Sequence, residues 1–308
     1  MPRRGLLTLV AVLLAGCGLG EGNAREGGGA ELRVTRDFGR ATLGSARLDE
    51  VRDGQTVMRL LRSRFDVKTR FGGRFVQSIG KRAGGGAGGH LDWFYWVNGI
   101  EADRGAAEYE LSPGDRVQWD YRDWTAAMRV PAIVGAYPQP FERGFDGKRR
   151  PVRVECHDAE AKACRTVKSR LERAGVPVSS SVIGTAYSAK IIRVVVARWS
   201  QARLARAATI LNGPPNESGV FARFARDGRS LELLDDRGRT ARRVASGSGT
   251  GIVAAMRPAG DDLVWLVTGL DDRGVESAAA ALDEKVLKDA FAVAATGRVV
   301  ETLPLAER

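Results

Sequence analysis

"DWFYWVNGIEADRGAAEYELSPGDRVQWDY", Asp92 to Tyr121, decides the reading of the first part of this 308-residue chain. Three of the six tryptophans fall in it: Trp93, Trp96 and Trp119. "DWFYWVNG" ends in Asn98-Gly99, a dipeptide favoured in two-residue hairpin turns because both positions take positive φ. The second run passes a Pro113-Gly114 turn and then alternates Val117, Trp119 and Tyr121 with Arg116, Gln118, Asp120 and Arg122. A period of two marks a strand with unlike faces. By the same rule Trp93, Tyr95 and Val97 share one side of the first strand, and Phe94 and Trp96 the other.

Upstream, "AELRVTRDF" alternates apolar and charged residues as a strand does. "GQTVMRLLRSRFDV" places Val57, Leu60, Leu61 and Phe65 at helical spacing, with Thr56 as N-cap. "RFVQSIG" reads as a short strand. "KRAGGGAGGH" is a glycine-rich connection without the Lys-Ser/Thr ending of a phosphate-binding loop. The expected order is strand, helix, then three strands.

The elements Trp-x-Tyr-x-Val-Asn-Gly and Gly-Asp-x-Val-x-Trp-x-Tyr are carried by Trp93, Tyr95, Val97, Asn98, Gly99, Gly114, Asp115, Val117, Trp119 and Tyr121. With the helix ahead of them, they make residues 32–124 resemble secreted domains similar to the C-terminal domain of transcobalamin and intrinsic factor. That family also occurs as a domain of unknown function in bacterial lipoproteins. The resemblance implies a β-grasp-like fold. Because in the animal carriers this domain closes over cobalamin, it also implies a cobalamin-like tetrapyrrole as ligand. The aromatic residues themselves leave two readings open. They form the core of a small domain, or some of them present flat rings to a planar guest. On the second reading the ligand surface is Trp93, Tyr95, Trp96, Asn98, Trp119 and Tyr121, with the cleft to the following domain.

The N-terminus points to export. Arg3 and Arg4 precede the apolar run Leu6–Leu14, which is too short to span a bilayer. "LAGC" ends at Cys17 and resembles a lipobox. Residues 1–16 are then a lipoprotein signal peptide and Cys17 carries the lipid, palmitate among its chains. Residues 17–31, rich in glycine and charge, form a flexible tether. The expected location is extracytoplasmic, held at the cell membrane through Cys17, with a membrane importer as a partner.

Residues 125–150 hold three prolines and no clean period, and read as a linker or strap. Residues 151–305 alternate strands and helices: "PVRVECHD", a helix to Gly175, "VPVSSSVI", the apolar "AKIIRVVVARW", a helix from Ser200 to Gly213, hairpins, "DLVWLVTG", an Ala-rich helix and a last helix over "EKVLKDAFAV". That pattern argues for an α/β domain. The fold class is therefore α+β: a β-grasp-like, transcobalamin-C-terminal-type domain followed by an α/β domain.

Cys156 and Cys164 in "CHDAEAKAC" suit a disulfide in an oxidising compartment. Free buried thiols and a metal site with His157 remain open, although three ligands without a fourth make a poor zinc cage. The net charge of +11 comes from scattered Arg-rich segments rather than one basic stripe, so it does not argue for nucleic acid. His90 and His157 are the only histidines, and no Gly-x-Ser-x-Gly elbow occurs. Ser179–Ser181 lack a partnered Lys motif. Asp235-Asp236 reads as a hairpin turn, and Gly269, Asp271, Asp272 and Gly274 as a strand-to-helix turn. The sequence predicts a binding protein and not an enzyme, with no cofactor or metal. A structural or protein-interaction module of the envelope is the alternative.

Overall fold

In the computed structural model, the described residues are 27–73, 75–85, 89–185, 190–258 and 262–306. The expected signal peptide, Cys17 and most of the tether lie outside them. The first domain comprises β1 (Ala30–Arg36), β2 (Ala41–Leu48), α1 (Val57–Arg62), β3 (Val67–Arg70), β4 (Phe75–Ile79), β5 (Arg82–Ala83), β6 (Leu91–Val97), β7 (Ile100–Glu101) and β8 (Arg116–Asp123). Its main sheet runs β2-β1-β8-β6-β7. The first and last long strands, β1 and β8, lie side by side and parallel, while β2 and β6 flank them antiparallel. Helix α1 starts where Thr56 accepts a hydrogen bond from Arg59 N, the expected cap. Its Val57, Leu60 and Leu61 pack on Leu32, Val34, Trp93, Tyr95 and Trp119.

Two boundaries differ from expectation. Ala30 and Glu31, assigned to the tether, already belong to β1. Strand β2 was not legible, because its residues are only half-buried or exposed along an edge and alternate weakly.

The second domain comprises β9 (Val152–Cys156), α2 (Lys162–Arg173), β10 (Val178–Val182), β11 (Ile192–Arg198), α3 (Trp199–Ala202), α4 (Pro215–Ser218), β12 (Ala222–Phe224), β13 (Ser230–Leu234), β14 (Thr240–Ala245), β15 (Thr250–Met256), β16 (Leu263–Gly269), α5 (Asp272–Ala281), α6 (Glu284–Leu287), β17 (Ala292–Thr296) and β18 (Val299–Leu303). One sheet runs β10-β9-β11-β16-β15-β17-β18, parallel through β16 and antiparallel beyond. Helices α2 and α5 cover one face, and a small sheet β12-β13-β14 packs against the other through Phe224, Leu231 and Leu233. The whole is α+β, as the sequence indicates. Among the described residues no helix is long and apolar enough to cross a membrane.

Two expected helices are replaced. In place of a helix over Ser200–Gly213 stand the short α3, which begins at Trp199 with no side-chain cap, and a 3-10 segment over Arg206–Asn212. Through α3 and this segment the buried residues Ala202, Ala205, Ala208 and Leu211 recur every third position, which suits three residues per turn. The expected helix over residues 284–293 stops at Leu287. Asp289 then turns left-handed at φ 63°, and the chain enters β17. The apolar residues from Phe291 onward serve a buried strand rather than a helix face.

The segment 125–150 is a packed strap. Ala127, Val130, Ile133, Val134, Tyr137, Phe141 and Phe145 are all buried. Val130 and Ile133 join Phe38 and Trp96 of the first domain with Phe221 and Phe291 of the second in one cluster. The two domains are welded rather than merely tethered.

Candidate functional site

The aromatic ribbon is the place to begin. Strands β6 and β8 pair antiparallel with Trp93 opposite Tyr121, Tyr95 opposite Trp119 and Val97 opposite Val117. Cross-strand partners on one face are in contact range. Tyr95 and Trp119 stack with centroids 4.8 Å apart, and Trp93 meets Tyr121 at 5.0 Å. This face turns inward against α1. Trp93 Nε1 donates to Arg82 O at 3.1 Å, and Tyr95 donates its hydroxyl to Arg104 O at 2.6 Å. Burial raises the Tyr95 phenol well above its ordinary range, reinforced by nearby Tyr109. Only Tyr121 is partly open, and its hydroxyl donates to Ala83 O at 2.8 Å.

The opposite face is no freer. Trp96 is fully buried, donates Nε1 to Val130 O at 2.8 Å and meets Phe291 edge-on at 5.0 Å. Beside it the buried Arg122 guanidinium lies 4.0 Å over Phe94 and donates to Ala127 O and Met128 O. Asp120, also buried, accepts from Thr35 Oγ1, Phe38 N and Gly39 N. Burial pushes its carboxyl up to about 7, against those hydrogen bonds and the charge of Arg122.

The exposed aromatic platform is therefore not present. Trp93, Tyr95, Trp96 and Trp119 are core, because α1 covers one face of the ribbon and the strap with the second domain covers the other. Asn98 is buried too and acts as a staple. Held at φ 54°, it donates Nδ2 to Asp115 Oδ1 and Gly144 O, and its Oδ1 accepts from Arg116 N. At the following Gly99, φ 78°, a Cβ would lie 2.7 Å from Ile133 O. The Asn-Gly and Gly-Asp elements thus clamp the turn onto the strap.

What remains open is a cleft of about 290 Å³ between the domains. One wall is β1 and β8, from Arg33, Arg116 and Gln118; the other is Glu284, Lys285, Lys288 and Asp289. Arg33 grips Asp289 through Nε and Nη2 at 3.0 and 2.5 Å, and Gln118 Nε2 donates to Asp289 O at 2.9 Å. Arg116 reaches Glu284 at 2.6 Å and Tyr137 O at 2.7 Å. Lys285 and Lys288 make no ion pair among the described residues, which leaves two uncompensated cations at the mouth. Sequence reasoning named this cleft but none of its charged residues except through the motif around Arg116. They come from three distant segments, and nothing local marks them.

A second crevice, about 440 Å³, opens at the carboxyl ends of β9 and β11, the usual ligand position of a parallel sheet. His157, Lys162, Arg198 and Asp272 line it. Its main charges are mutually satisfied: Lys162 pairs with Glu276 and Arg198 with Asp272, each at 2.7 Å. Cys156 and Cys164 are disulfide-bonded with Cα atoms 6.2 Å apart, tying the end of β9 to the first turn of α2. Asp271 caps α5 by accepting from Gly274 N, and Asp235 accepts from Arg237 N and Arg239 N in a hairpin turn. His90 lies edge-on to Trp124. Among the described residues no group of three or more His, Cys, Asp or Glu is placed to hold a metal ion.

Residues 54–123 match a family described as a domain of unknown function, DUF4430. The match runs from just before α1 to the end of β8 and includes the staple Asn98–Asp115. Among solved structures, a protein of Ruminococcus gnavus ATCC 29149, provisionally named a metal binding protein, is similar at 14% identity. It covers 31% of this chain and 97% of its own, with a TM-score of 0.26. No curated protein matches the sequence. The matched segment supplies Arg116 and Gln118 to one wall of the interdomain cleft, while Arg33 and the whole of the other wall lie outside it.

Proposed function

We propose that the protein is a lipid-anchored, extracytoplasmic binding protein without catalytic activity, and that its ligand seat is the cleft between the domains. The observation that carries this reading is the pair Lys285 and Lys288, uncompensated beside a concavity shared by both domains. Clefts between domains are common ligand sites, and two free ammonium groups favour a ligand carrying a carboxylate or phosphate. The resemblance to transcobalamin-type domains supports a cobalamin-like tetrapyrrole handed to a membrane importer. The cleft is too small for a whole macrocycle, so such a ligand would enter by a polar arm and not stack its disc on the ribbon. The sealed ribbon favours a second reading, a structural or protein-interaction module of the envelope.

A thermal-shift screen of corrinoids and small anions tests the first reading, since a ligand of the native state raises stability by mass action. A stabilising ligand whose effect is lost in Lys285→Glu/Lys288→Glu is the expected result. Failure of every corrinoid and anion to shift the melting temperature would leave the interaction module.

A further inference from the structure

The β3–β4 hairpin presents an unusual surface. Phe71 at its tip is 80% exposed, and Phe75 is exposed beside it, the rings edge-on at 6.5 Å. Three successive residues at the tip, Phe71, Gly72 and Gly73, have left-handed φ of 52°, 68° and 93°. That conformation is costly for phenylalanine, yet here it points the ring into solvent. Along the hairpin, from its far end to the tip, the exposed charge is mostly basic. Arg62, Arg64, Lys68, Arg70, Lys81 and Arg82 are all exposed, against the single acid Asp66. None of the six is in an ion pair among the described residues; Arg62 makes a 3.4 Å hydrogen bond to Thr69, and the charge of Arg82 acts on the Tyr121 phenol. The register sets Arg70 directly opposite Phe75, so cation and ring share one outer face.

We infer that this hairpin is a membrane-interface contact: Phe71 and Phe75 dip into the boundary of an anionic bilayer while Arg70, Lys68 and the cations farther along the hairpin meet lipid phosphates. Exposed rings framed by unpaired Lys and Arg match the two components of interfacial binding, apolar burial and attraction to anionic headgroups. Two exposed rings in edge-on contact form a contiguous apolar spot of the kind that marks protein or membrane contacts, and an anionic polymer alone would not use one. The lipid anchor expected at Cys17 would hold the first domain beside such a bilayer. The inference does not depend on the interdomain cleft.

The test uses the chain from Gly27 onward, which contains every described strand and helix, sedimented with vesicles of phosphatidylcholine alone or mixed with phosphatidylglycerol. Binding to the anionic vesicles, weakening with salt, is expected. Phe71→Ser/Phe75→Ser lowers the partition at least about tenfold with every charge kept. Lys68→Glu/Arg70→Glu lowers it at least roughly twentyfold with both rings kept. All four positions are exposed, so circular dichroism should match the wild type. Absence of vesicle binding overturns the inference. So does binding that survives loss of the rings, which would assign the basic face to a polyanion, checked with soluble polyphosphate. A thermal-shift response to ligands is read separately and bears only on the cleft.

Discussion

Trp96 is the residue on which the union of the two domains can be measured. On β6, it is fully buried beneath the strap and the residue that leads into β17, with its indole N–H on Val130 O and its ring against Phe291. Replacing a buried tryptophan by alanine costs about 3–5 kcal/mol when the cavity cannot collapse. The unpaired Val130 carbonyl adds about 1 kcal/mol. Trp96→Ala should therefore cost about 4–6 kcal/mol, a large part of a typical domain's stability of about 5–15 kcal/mol. In urea titrations followed by circular dichroism, wild type should unfold in one transition. With a slope of about 3 kcal/mol/M, the midpoint of Trp96→Ala should fall by between one and two molar. Phe71→Ser, in solvent, should stay within about 0.5 kcal/mol. A Trp96→Ala midpoint that shifts no more than that of Phe71→Ser would refute the welded interface. Two separate wild-type transitions would do the same.

Two further expectations concern buried charge. Glu155 and Arg193 pair at 2.7 and 2.8 Å on neighbouring strands β9 and β11, both almost wholly buried. Glu155→Ala should cost about 3–5 kcal/mol by stranding the guanidinium, whereas Glu155→Leu/Arg193→Met should cost far less; equal losses in a denaturation series would contradict this. The Asp120 carboxyl is raised from 3.8 to about 7 in the fold, chiefly by burial. Its contribution is thus complete below pH 4 and is lost as pH rises through 7, on the order of 4 kcal/mol at most. Burial raises Glu101 and Asp115 as well, so the signal is the difference in pH slope between wild type and Asp120→Asn. Parallel stability–pH curves for the two proteins would remove Asp120 as the cause.

Legibility in the sequence followed the range of the signal. The period-two alternation of Val117, Trp119 and Tyr121 and the Asn98-Gly99 turn are local, and both strands and the turn stand where they were read. Thr56 as a cap and the Cys156–Cys164 pair are local as well. What a strand's second face meets is not local. Trp96 reads as a potential surface because the strap and Phe291 that cover it lie far along the chain. The same holds for the cleft, where Arg33 and Asp289 are 256 positions apart. The period-three spacing of Ala202, Ala205, Ala208 and Leu211 partly mimics the apolar stripe of a helix, so the residues alone do not separate the two.

The way the N-terminal arm joins the fold has a mechanical consequence. It enters at β1, which is bonded along its length to β2 on one side and to β8 on the other. Force drawn along that strand must shear two ladders together instead of unzipping one bond at a time. A body pulled from its N-terminal side would therefore keep its shape under drag until both ladders gave way together.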